Sequence, residues 1–122
     1  MFFDRFMELA LYDPEDGYYS SDTLRSDRSG DFLTSPEVSP LFGETLARFC
    51  ATERERIGEP FAVVECGAGS GSLLGPLLEA CPVDSAYAVE VSPAARRALA
   101  ERVPGAEVVE SNENIHTSVA PA

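Results

Sequence analysis

Apolar residues first recur at helical spacing. Phe3, Phe6, Met7, Ala10 and Leu11 fall at i, i+3, i+4, i+7 and i+8, which predicts one face of a short helix with Asp4 as its cap. Asp13-Pro14 ends it and Asp16-Gly17 reads as a turn. Residues 20–30 carry a single large apolar side chain, Leu24, and are expected to form a mobile loop. A second helix opens at Ser35 or Ser39, each a Ser-Pro start signal. Its expected buried face is Leu41, Phe42, Thr45, Leu46, Phe49 and Cys50, with Gly58 as the terminal cap. The rhythm then changes. Residues 61–64 are continuously apolar, as in a strand covered on both faces. A helix over 72–80 follows, with Pro76 inside it at the cost of a hydrogen bond or a kink, unless the helix starts later. A strand over 86–91, a helix over 94–102 behind Ser92-Pro93, and a strand over 106–109 complete the pattern. Alternating strands and helices of this kind predict an α/β fold with about three parallel strands, half of a doubly wound sheet.

The segment that carries chemistry is VVECGAGSGSL at 63–73. Three glycines at a strand end let the backbone turn tightly and let a ligand lie against it, while the next helix offers free N–H groups. Dinucleotide binding favours G-x-G-x-x-G, whereas here the third glycine comes one residue early. A P-loop requires a lysine, and the nine basic residues are all arginine. The spacing matches motif I of class I S-adenosylmethionine (SAM) methyltransferases. Glu90, at the end of the next strand, can accept hydrogen bonds from ribose hydroxyls.

Charge and composition narrow the partners. The chain has 122 residues and a net charge of −12, which disfavours phosphate backbones and anionic lipid. No apolar run is long enough to span a bilayer and no signal peptide is visible. Three cysteines without a CxxC pair argue against a disulfide framework or a metal site, and suggest a reducing, cytoplasmic location. Cys66 reads as a small buried residue and His116 as a bystander.

Two further stretches, FMELALYDPEDGYYS at 6–20 and GDFLTSPEVSPLFGE at 30–44, resemble the N-terminal signatures of the MidA family of SAM-dependent methyltransferases, in order with the glycine motif. The resemblance implies a Rossmann-like class I methyltransferase fold: an N-terminal helical and lid segment at 1–58, a SAM-binding half at 59–111, and an unpatterned tail at 112–122. It implies SAM as cofactor and a protein substrate, an arginine side chain by extension. It carries Gly67, Gly69 and Gly71, with Ala68 between them, onto the cofactor loop. Glu65 corresponds to the group holding the SAM amino end, and Glu90 to the ribose acceptor. Asp31, Thr34, Ser35 and Glu37 match the family's lid-like signature, with Thr34 and Ser35 open to a helix-capping role and Glu37 to complementing a helix N-terminus. Tyr18 and Tyr19 read as core or lid packing. The family's N-E-L-x-D-A-L-P-like segment beside the acceptor has no counterpart in these residues, so this chain alone is expected to be inactive and no catalytic residue is assigned. Two other readings stay open: a truncated or degenerate SAM-binding module without catalysis, and an NAD-dependent oxidoreductase, which the glycine spacing argues against.

Overall fold

The computed structural model describes residues 1–115; His116 lies outside the described residues. Three helices come first: α1 (Phe3–Tyr12), the single turn α2 (Ser35–Val38) and α3 (Leu41–Ile57). Then follow β1 (Ala62–Cys66), α4 (Leu74–Ala80), β2 (Ser85–Val89), α5 (Pro93–Arg102), β3 (Glu107–Val109) and a 3-10 turn at Asn112–Asn114. The strands form one parallel sheet in the order β1-β2-β3, with Ala62 beside Ser85, Cys66 beside Val89 and Val89 beside Val109. This is the expected α/β half-sheet. Among the described residues no helix is long and apolar enough to cross a membrane.

The core sits between the sheet and its helices. Ala68, Leu74, Ala88, Leu99 and Val103 form one cluster; Ala47, Leu77 and Cys81 form a second. Val63 and Leu78 pack against both and join them. Coverage of β1 is one-sided, contrary to the expectation from its apolar run: Val64 remains 43% exposed. Pro76 causes no kink, because α4 begins at Leu74. The proline therefore lies in the first turn, where its missing N–H would have had no helical partner.

Packing of α3 also departs from the periodic reading. Its buried residues are Gly43 and Ala47, with Leu46 and Cys50 partly buried, whereas Leu41, Phe42 and Phe49 face outward. A Cβ at Gly43 would come within 2.7 Å of the Leu73 carbonyl oxygen, so small residues set the approach of α3 to α4. In α1, Asp4 is not the cap: Phe2 holds that position without a side-chain bond, and the Asp4 carboxylate accepts from the neighbouring Arg5 amide at 2.8 Å. Asp13 does turn the chain, accepting from the Glu15 and Asp16 amides at 3.0 Å each.

The stretch at 20–30 is short of apolar anchors, and the contacts it makes are polar. The Asp31 and Phe32 amides donate to the Arg25 carbonyl at 2.8 and 3.3 Å, and Ser26 bridges Phe32. Asp22 meets Arg97 of α5 at 3.2 Å.

Candidate functional site

Strand β1 delivers the glycine loop to the end of the sheet. The Gly67 and Ala68 amides both donate to the Val89 carbonyl of β2, at 2.8 and 3.2 Å. Gly67 and Gly69 have φ of 74° and 57°, a left-handed backbone that disfavours side chains. A Cβ at either would meet open space, so the concave face of the loop is free to receive a ligand. Gly71 is different. Its φ is 84°, and a Cβ there would lie 2.6 Å from Val103 and 3.1 Å from Leu99. This glycine lets α5 pack against the loop, and it does not line the cavity that the other two face.

That cavity measures about 590 Å³. Glu65, Gly67, Ala68, Gly69 and Glu90 line one side; Thr34 and Glu37 line it from the N-terminal segment, with Phe32 and Tyr19. Most of the residues selected from sequence therefore meet in one place. Ser35 and Gly71 are not among the lining residues. Cys66 is exposed rather than buried, and does not line the cavity either.

Two carboxylates define the electrostatics. Glu65 Oε2 is buried and, among the described residues, has no hydrogen-bond partner. Burial, and then the negative charge of Glu90, push the Glu65 pKa up to about 7, against an opposing hydrogen bond from the Leu74 backbone. Glu90 is only 9% exposed and is held from both sides. Its Oε2 accepts from the Gly69 amide and its Oε1 from the Ser92 amide, each at 2.8 Å. Glu90 thus ties the glycine loop to the start of α5, where Ser92 caps the helix by accepting from Ala95. A carboxylate has about four acceptor sites, so capacity remains for a ligand.

On the opposite wall, Glu37 is committed to the protein. Its Oε2 accepts from the Thr34 amide, the carboxylate half of a capping box for α2, and also from the Thr34 hydroxyl at 2.9 Å. Its Oε1 accepts from Ser26 at 2.6 Å. Thr34 and Glu37 therefore shape the cavity wall by fixing the 26–34 loop against α2. Asp31 accepts from Tyr18 at 2.7 Å and from Arg25 at 3.3 Å, while Tyr18 and Tyr19 pack edge to face. Sequence reasoning missed Arg25 and Ser26 as lining residues, because no local pattern marks them; only the fold of the loop brings them there.

No family model matches the chain. A mitochondrial protein named protein arginine methyltransferase NDUFAF7 from Xenopus laevis is 37% identical over 122 aligned residues, covering 89% of this chain and 28% of that protein. The Drosophila melanogaster homolog of that methyltransferase is 36% identical, covering 80% of this chain and 24% of its own length. An uncharacterized protein from Burkholderia thailandensis, solved by crystallography, superposes with a TM-score of 0.67 at 34% identity, covering 91% of this chain and 30% of that one. The chain is thus similar to part of proteins named protein arginine methyltransferases, in line with the family resemblance of its sequence motifs. The chain spans under a third of the length of the curated relatives described above. The cytoplasmic location expected from the cysteines is overturned, because those relatives are named as mitochondrial. Unpaired thiols report a reducing environment and carry no address within the cell.

Proposed function

We propose that this cavity binds SAM and that the protein uses it to methylate an arginine side chain of a protein substrate. Support for the substrate comes from the relatives named protein arginine methyltransferases. The observation that carries the cofactor reading is the pairing of an open glycine cradle with Glu65 Oε2, a buried oxygen without a partner among the described residues. An ammonium group at that oxygen would satisfy it and favour its ionised form. Glu90 would accept from ribose hydroxyls while still holding the Gly69 amide. Bound there, SAM would supply a methyl group on a sulfonium, so the chain need not contribute a nucleophile. Its own residues would bind and orient the cofactor, with Phe32, Leu24 and Tyr19 lining the cavity from the N-terminal segment. In this reading residues 1–58 act as the lid segment and 59–111 as the cofactor-binding half.

The test is incubation of the full-length form of the protein with methyl-labelled SAM and arginine-containing protein substrates, followed by amino-acid analysis. Labelled methylarginine is expected. SAM binding without transfer would favour a non-catalytic module, and absence of both would overturn the reading.

A further inference from the structure

SAM is a zwitterion at its amino-acid end, and Glu65 answers only the positive half. The carboxylate needs a cation or a set of donors. Among the described residues lining the cavity, Arg25 is the one basic side chain, beside the carboxylates of Glu37, Glu65 and Glu90.

Arg25 is held in place from behind. Its Nε donates to the Tyr18 carbonyl at 3.2 Å, and its guanidinium carbon lies 4.6 Å from the centre of the Tyr18 ring. Its neighbour Ser26 is fastened to Glu37, which fixes the backbone at this point of the loop. The remaining contact is weak: Nη1 lies 3.3 Å from Asp31 Oδ2, long for a charge-assisted bond, and that oxygen already accepts from the Tyr18 hydroxyl. Among the described residues Nη2 makes no hydrogen bond. The guanidinium is therefore oriented on an aromatic platform and keeps a donor edge to spare.

We propose that Arg25 binds the carboxylate of the SAM methionine moiety, an inference that rests on the SAM reading of this cavity. Glu65 and Arg25 then read the two charges of the zwitterion from opposite walls. The lid half contributes a ligand contact as well as a cover.

The experiment compares SAM with decarboxylated SAM, which lacks only the group in question, by calorimetric titration into the full-length form of the protein. Arg25→Met should weaken SAM binding about ten- to a hundred-fold, the range of a charged hydrogen bond, and leave the decarboxylated ligand within about two-fold of wild type. Asp31→Asn removes the Arg25–Asp31 ion pair but keeps the guanidinium on its Tyr18 platform, so it should leave SAM affinity unchanged or raise it. Equal losses for both ligands in Arg25→Met, or no loss for either, would overturn the proposal. Failure of the wild type to bind SAM and 5′-methylthioadenosine alike would instead overturn the cofactor reading itself, and this inference with it.

Discussion

Leu74 and Leu99, in the glycine-loop half, are fully buried, whereas Phe3 and Phe6 in α1 leave 75% and 50% of their surface exposed. The two halves use similar residues at similar helical spacing. In the second half, α4 and α5 lie against a sheet that receives their apolar faces. In the first, α1 buries no residue fully, and the chain is organised instead by hydrogen bonds among Tyr18, Arg25, Ser26, Asp31, Thr34 and Glu37. Apolar periodicity reports which side chains can be buried together; a surface opposite them decides whether they are. The cavity forms where the apolar half meets the polar one.

The largest effect should separate the halves by stability. Leu99→Ala removes a fully buried side chain and should cost about 2–5 kcal/mol, while Phe3→Ser in α1 should stay within about 0.5 kcal/mol. Denaturant midpoints measure both. Comparable losses would mean that α1 is packed more deeply than its exposure indicates.

Next in size is the contrast between two glycines of one loop. Gly71→Ala forces a Cβ into Val103 as well as a strained backbone, whereas Gly69→Ala meets only the backbone penalty of about 1–2 kcal/mol. Gly71→Ala should therefore lower the thermal midpoint more, and Gly69→Ala should lower SAM affinity more relative to its stability loss. Thermal unfolding and ligand titration of the two variants check the crossing of these effects.

A smaller effect should appear with pH. Burial holds the folded-state pKa of Glu65 near 7, above its ordinary 4.5, so the unfolded chain loses this proton first as pH rises. The stabilising contribution is complete below about 4.5 and is lost as pH rises toward about 7. Glu65→Gln should remove that part of the pH dependence of stability. In the wild type, affinity for SAM should increase as pH rises through about 7, because the carboxylate must ionise to pair with an ammonium; the Gln variant should lose this slope. Titrations at about pH 6 and pH 8 compare the two.

What could be read from the chain was what is local. Ser92 caps α5 as its Ser-Pro signal required, and the helix start suggested by Thr34-Ser35-Pro36 is there, displaced one residue so that Thr34 is the cap. The glycine loop and Glu90, 21 residues apart, come together because a strand-helix-strand unit sets the ends of β1 and β2 side by side. The outward turn of Leu41, Phe42 and Phe49 was not legible, since helix spacing alone leaves open which stripe meets α4; Gly43 and Ala47 win because they permit the closer approach. Nor was the role of Gly71, whose constraint comes from Leu99 of α5 and from Val103 just past the end of that helix. Arg25 carries no motif, and only the return of the loop over the cavity gives it a possible ligand.

The most direct test of two halves closing on one ligand is hydrogen exchange on the full-length form of the protein, with and without SAM. Slower exchange is expected both at 67–70 and at 31–34, with no change across Phe3–Tyr12 of α1. Protection confined to the glycine loop, or protection absent from both stretches, would contradict the account.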